Sequence, residues 1–166
     1  NLNASFKYSD AGIDAGILKR LLVARPLMND VILVLYGDTF IDLNPEAIYK
    51  AHKKSKSYAT ITVAESRSPF GIVHLDDKSL VNKFVEKPLM NHFIGNMVFD
   101  TNIFDHLDPH IMELSDGVGI VKMFEELAKK QQLSAYVHRG FQLTFNTVYE
   151  HKEANKELTD YFTQRS

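Results

Sequence analysis

The sequence predicts an α/β fold: a mostly parallel sheet flanked by helices, with an inserted β-hairpin. Three observations predict it. Val31-Ile32-Leu33-Val34-Leu35-Tyr36 is an unbroken apolar run, the pattern of a strand covered on both faces. Asn44-Pro45 opens a helix that leads directly into the β-rich stretch 58–64, giving strand, helix, strand. Two further apolar stretches flank Asp76-Asp77-Lys78-Ser79, which reads as a four-residue hairpin turn.

Residues 6–8 form a short strand on this reading. Residues 12–24 form a helix, because Ile13, Ile17, Leu18, Leu21 and Leu22 recur at helical spacing. Arg25-Pro26 ends it, since proline disfavours helical geometry in the residue before it. The apolar run at 31–36 follows, with Gly37-Asp38 at its carboxyl end. Asn44 caps the next helix with Pro45 at its first position, and the helix runs to about residue 56. The hairpin pairs 70–75 with 80–86. Another strand covers 93–99, and a short helix 102–107. Asp116 caps a longer helix whose apolar face holds Ile120, Phe124, Leu127 and Ala128. A strand at 133–138 and a helix at 148–163, with Ala154, Leu158, Tyr161 and Phe162 on one face, complete the chain.

The length of 166 residues suits one domain, taken as 1–166. With no cysteine, disulfides and thiolate metal sites are excluded, and the composition suits a reducing, cytoplasmic setting. Nineteen basic and 21 acidic residues give a net charge of -2, which speaks against nucleic acid as a partner. No apolar run reaches the roughly 18 residues of a membrane span. The opening Asn1-Leu2-Asn3-Ala4-Ser5-Phe6-Lys7 lacks the apolar core of a signal peptide, and without an initiator Met an upstream segment is expected.

Three places can carry chemistry. In open α/β sheets ligands bind beyond the carboxyl ends of strands, where Asp38 stands. A single carboxylate there suits Mg²⁺, which is held by one or two carboxylates plus substrate phosphates. Gly37 beside it lets the backbone turn or approach a ligand. In Glu86-Lys87-Pro88, Glu86 can accept from sugar hydroxyls and Lys87 can face a phosphate, with Pro88 holding Lys87 extended. Gly71, after Ser68-Pro69-Phe70, marks a bulge or a close approach to ligand. Each also has a purely structural reading, as strand end, solvated ion pair or bulge.

Val34-Leu35-Tyr36-Gly37-Asp38, Phe70-Gly71-Ile72-Val73 and Phe84-Val85-Glu86-Lys87-Pro88 occur in that order. The ordered set resembles the sugar-1-phosphate nucleotidyltransferase family over residues 8–158, and implies a Rossmann-like sheet. The resemblance implies that Asp38 binds catalytic Mg²⁺ and that Gly71, Glu86 and Lys87 hold the sugar phosphate. It implies too that Gly12, in Ala11-Gly12-Ile13-Asp14-Ala15-Gly16, lies beside the nucleobase. Asp38 and Lys87 are then the catalytic candidates; Gly12, Gly37, Gly71, Glu86, Lys87 and Asn146 are the substrate-binding ones. The implied substrates are a sugar 1-phosphate and a nucleoside triphosphate.

Two departures from the family pattern stand out. Nothing corresponds to its opening Gly-rich, Arg-containing loop and Lys-Pro segment, so roughly 60–70 residues of an N-terminal nucleotide-loop portion are expected to be missing. On that expectation the isolated chain is inactive, and its uncovered sheet edge is open to self-association as a homo-oligomer. Where the family carries a late metal carboxylate, this chain has Thr144-Phe145-Asn146-Thr147; Asn146 offers only a neutral carbonyl oxygen. A non-catalytic module that binds a sugar phosphate or nucleotide sugar is the competing reading. His106 and His110 are split by Pro109, which argues against a metal pair. Lys50, Lys53, Lys54 and Lys56 read as a solvated helix end, and Asp42 as a turn residue before the second helix.

Overall fold

The computed structural model describes residues 4–115 and 117–165. In chain order the elements are α1 (Ile17–Ala24), β1 (Val31–Val34), β2 (Thr39–Ile41), α2 (Pro45–Ser55), β3 (Ala59–Arg67), β4 (Ile72–Leu75), β5 (Val81–Val85), β6 (Leu89–Asp100), α3 (Pro109–Met112), α4 (Val118–Lys129), β7 (Leu133–His138), β8 (Gln142–Thr144) and α5 (Val148–Thr163). Single 3₁₀ turns follow α1 and β6. A four-stranded sheet has the order β1-β6-β3-β7, and β2-β8 and β4-β5 form two-stranded ribbons. Among the described residues no helix is long and apolar enough to cross a membrane.

The α/β class, the flanking helices and the inserted hairpin are those the sequence predicts. Strand directions in the sheet are mixed. β1 runs antiparallel to β6, with Val31 opposite Asp100 and Val34 opposite Met97. β6 returns beside β3: Asp100 N–H donates to the Tyr58 carbonyl and Ser68 N–H to that of Pro88. A return through a short hairpin gives an antiparallel neighbour, whereas a parallel one needs a helical crossover. That crossover exists between β3 and β7, where Ala59 N–H meets the Gln132 carbonyl and Thr60 meets Ser134. β1 is a half-buried strand at the end of the sheet order rather than a strand covered on both faces.

The described residues divide into two compact units. The first draws on the spans Asn1–Val34, Pro45–Ile61 and Met97–Tyr136. Its core includes Leu18, Ile48, Met97, Phe99, Ile103 and Met123, all at most 2% exposed. Gly119 lets α4 close on α1: a Cβ there would lie 2.9 Å from the Ile111 carbonyl and 3.4 Å from Leu18. The helix expected from residue 12 starts only at Ile17, because Gly12 has φ +86° and residues 12–15 close a turn. Residues 6–8 form no strand, and Phe6 and Tyr8 are exposed. The cap expected of Asp116 lies outside the described residues.

The second unit draws on Leu35–Asn44, Thr62–Asn96 and Val137–Ser166. Here β2 pairs with β8, Thr39 opposite Thr144. Phe40 and Phe141 on this ribbon pack against Tyr161 and Phe162 of α5. Asp42 is more than a turn residue. It accepts from Arg165 Nη1 at 2.8 Å, and hydrogen bonding to Tyr161, ahead of Arg165, holds its carboxyl below the ordinary range. Thr147 caps α5 reciprocally: its Oγ1 accepts from Glu150 N–H, and the Glu150 carboxylate accepts from Thr147 N–H at 3.0 Å. Thr147→Ala removes one half of this box and is expected to lower the unfolding free energy by about 1 kcal/mol in a urea titration; no change would mean that α5 is held by its aromatic face alone.

Candidate active site

β1 ends at Val34 and the chain turns at Gly37-Asp38 into β2. Backbone bonding fixes the turn, since the Asp38 carbonyl accepts from Phe145 N–H at 3.0 Å. The Asp38 carboxylate is exposed. Among the described residues its one side-chain partner is Thr39, whose hydroxyl reaches Oδ1 at a long 3.3 Å. An added Cβ on Gly37 would meet nothing within 4 Å, so that glycine leaves open space beside the carboxylate instead of serving the packing.

Asp38 lines a cavity of ≈ 240 Å³ with Tyr36, Thr39, Phe93, Gly95 and Thr144 among its walls. Gly95 has φ +88°, a backbone that a side chain would strain, and a Cβ there would make ordinary contact with Thr39 and Tyr36 at 3.4–3.5 Å. The Thr39 and Thr144 hydroxyls are 3.4 Å apart. Sequence reasoning noted Thr144 only as a non-carboxylate in the late metal-ligand stretch and did not place it in the site. Its place there follows from pairing two three-residue strands 105 positions apart, and such short strands carry no periodic signal. Asn146, which was expected to bind substrate, is exposed and is not among the cavity's walls; its N–H donates to Glu150 at 2.8 Å as part of the α5 cap.

The structure brings Gly71 and Glu86 together. A Cβ on Gly71 would fall 2.8 Å from the Phe84 ring and 3.1 Å from Glu86 Oε2, so the missing side chain makes room for both. The hairpin register, Ile72 opposite Val85 and Val73 opposite Phe84, sets that approach. Lys87 corrects the sequence reading. It is not extended but has φ +41°, in the left-handed region. Arg67 Nη1 donates to its carbonyl at 3.1 Å, and Ser68 N–H donates to Pro88 at 2.9 Å. These bonds turn the chain from β5 into β6 and over-determine a backbone that costs about 1–3 kcal/mol. Lys87 Nζ stands 4.0 Å from Glu86 Oε1, with both side chains more than half exposed. So loose a pair leaves both groups available to a ligand. Among the described residues no hydrogen bond or ion pair joins Asp38 to Glu86 or Lys87.

Gly12 belongs to the first unit. Its N–H donates to Asp10 at 2.8 Å, and Arg20 clamps the following loop through the Ala15 and Ile13 carbonyls. The loop walls a separate cavity of ≈ 300 Å³ that Lys19 and Glu113, themselves ion-paired, also line.

For a divalent metal, one nearly unencumbered carboxylate and two hydroxyls face the Asp38 cavity. No group of three His, Cys, Asp or Glu able to hold a metal occurs among the described residues. Such a donor set fits a magnesium ion that takes most of its ligands from phosphate and water.

A turn carboxylate, Asp38, and an inserted hairpin whose Glu86 approaches Gly71 lie in one compact unit of an α/β fold. A family model described as Nucleotidyl transferase matches residues 4–155, and the chain belongs to that family. It is 29% identical over 157 residues to a Bacillus subtilis protein assigned as a glucose-1-phosphate cytidylyltransferase, covering 90% of this chain and 58% of that one. It is 33% identical over 114 residues to a mannose-1-phosphate guanyltransferase of Yarrowia lipolytica, covering 65% of this chain and 30% of that one. The fold resembles a Bacillus anthracis crystal structure assigned as a glucose-1-phosphate thymidylyltransferase and solved with sucrose. That match has a TM-score of 0.67 at 19% identity, over 92% of this chain and 64% of the other. The chain thus spans well under two thirds of the length of the curated relatives named here.

Proposed function

We propose that the full-length protein transfers a nucleotidyl group from a nucleoside triphosphate to a sugar 1-phosphate. The observation that carries this reading is that one compact unit holds both an open strand-end carboxylate, Asp38, and the Gly71-Glu86-Lys87 cluster. An oxygen of the sugar phosphate forms a bond to the α-phosphorus, and the bond from that phosphorus to the β-phosphate oxygen breaks. Pyrophosphate leaves with the electron pair. A phosphate monoester has a second pKa near 6, so the attacking oxygen is already anionic at neutral pH and needs no base. Bound Mg²⁺ would supply charge neutralisation at the phosphates. Asp38 would hold it, with Thr39 and Thr144 offering hydroxyls to its water shell. Glu86 would accept from sugar hydroxyls, Gly71 would leave them room, and Lys87 would face the acceptor phosphate. The work of these side chains is then positioning and electrostatics. The cysteine-free composition suits a cytoplasmic setting for this reaction.

The test is pyrophosphate release by the full-length protein, screened over sugar 1-phosphates and nucleoside triphosphates with Mg²⁺. Saturable sugar 1-phosphate binding without release in every combination would favour the non-catalytic module. A second measurement isolates the acceptor side: Glu86→Gln is expected to weaken sugar 1-phosphate binding about tenfold in calorimetry, the cost of one hydrogen bond to a charged group. Unchanged affinity would remove Glu86 from the site.

A further inference from the structure

A cavity of ≈ 410 Å³ in the first unit lies at the C-terminal end of α2, where His52, Lys53, Lys56, Tyr58, Asp100 and Gln132 are among its walls. None of them belongs to the site above. His52 is 1% exposed. Its Nδ1 is 2.9 Å from Thr60 Oγ1, which is 2.6 Å from Ser134 Oγ, and Ser134 Oγ is 3.4 Å from the Ala59 carbonyl. A carbonyl can only accept, which orients the whole series: Ser134 donates to Ala59, Thr60 to Ser134, and His52 Nδ1–H to Thr60. Burial pushes the His52 imidazole below its ordinary pKa, outweighing the opposite pull of Asp100, so the ring is neutral near pH 7. Nε2 is then a bare lone pair, buried and without a hydrogen-bond partner.

Asp100 Oδ1 faces Nε2 at 3.6 Å, beyond hydrogen-bond reach and itself an acceptor. What fits between two acceptors is a group with a hydrogen to give. The surrounding charge selects the rest of that group. Lys53 donates to Asp100 Oδ1 at 3.0 Å, while Lys56 has no ion pair among the described residues. With a neutral His52, the cavity therefore carries one excess positive charge. Lys56 also sits at φ +58° just past α2, a position where glycine is favoured, so a cation is kept at the rim against the backbone's preference.

We propose that this cavity binds a protonated phosphate group, its P–OH set between His52 Nε2 and Asp100 and its anionic oxygens on Lys56 and the Gln132 amide. At neutral pH inorganic phosphate keeps a P–OH, and a phosphate monoester, with a second pKa near 6, keeps one in its minor monoanionic form; sulfate has none. The test is an NMR titration of the 166-residue chain at pH 7 and fixed ionic strength with inorganic phosphate, glycerol 3-phosphate and sulfate. Phosphate or the monoester should move the His52 ring and Gln132 side-chain signals saturably. Sulfate should bind at least about tenfold more weakly, for want of one charge-assisted hydrogen bond. Tighter binding by the monoester would identify a phosphorylated metabolite as the occupant; tighter binding by phosphate would identify the free ion. Lys56→Met, an exposed change, should weaken binding at least about fivefold, with the Ile48 and Phe99 signals reporting an intact first unit. Asp100→Asn brings an N–H donor and should erase most of the preference over sulfate. Equal binding of sulfate and phosphate by the unaltered chain, no saturable shift at His52, or an unaffected Lys56→Met variant would each overturn the proposal.

Discussion

Asp38→Asn is expected to lower Mg²⁺-dependent pyrophosphate release by the full-length protein at least about a hundredfold, with little change in stability. The kinetic loss follows from the role proposed for the carboxylate. An amide keeps the shape of the turn but brings no negative charge to a metal, and removing one element of transition-state charge stabilisation costs about 10²–10³ in rate. The small stability effect follows from geometry. Asp38 is exposed and, among the described residues, its side chain hydrogen-bonds only to the Thr39 hydroxyl at 3.3 Å, while the bond that fixes the turn comes from its backbone carbonyl. Raising Mg²⁺ should recover part of the lost rate, because the substrate phosphates still bind the ion. Full activity in a folded Asp38→Asn protein would mean that the metal is held elsewhere, and the Thr39-Thr144 pair would lose its proposed neighbour. Wild-type binding of sugar 1-phosphate by the same variant is the companion expectation, since among the described residues Glu86 and Lys87 share no hydrogen bond or ion pair with Asp38.

How much of this could be read from residues alone depended on the range of the forces involved. α5 and β7 were legible to their ends because period and apolar face coincide within one segment. The hairpin was legible because Asp76 closes its own turn, accepting from Lys78 and Leu80 N–H at 2.9 Å. The Gly71-Glu86 approach follows from that hairpin's register. What escaped was set by distant partners. β1 has the composition of an interior strand, but its place at the end of the sheet order depends on β6, more than 50 residues away. Thr144 gains its position only through Thr39. Lys87 was assigned an extended backbone from the following proline; Arg67 and the antiparallel return into β6 overrule that local preference. His52 was not singled out by the sequence, and only the assembled fold encloses it between Thr60 and Asp100.

Phe99→Ala should lower the unfolding free energy by about 3–5 kcal/mol, the cost of truncating a large aromatic in a core that cannot close over the void. Phe99 is 1% exposed, lies opposite Ile32 across the β1–β6 pair, and meets Phe104 edge-on with ring centroids 5.6 Å apart. Its neighbours Met97 and Ile103 are fully buried, so little side-chain freedom remains to fill the space. For a domain of typical stability this is a third or more of the total. The effect should have an address as well as a size. β1 is held to the sheet by its pairing with residues 97–100 of β6, so hydrogen exchange at Val31–Val34 should accelerate before exchange in α5, which rests on its own aromatic cluster. Phe99→Leu keeps much of the volume and should cost clearly less. Urea unfolding followed by circular dichroism gives the magnitude, and amide exchange gives the order. A loss below about 1 kcal/mol, or uniform acceleration across both units, would mean that the first unit does not depend on Phe99 for its core.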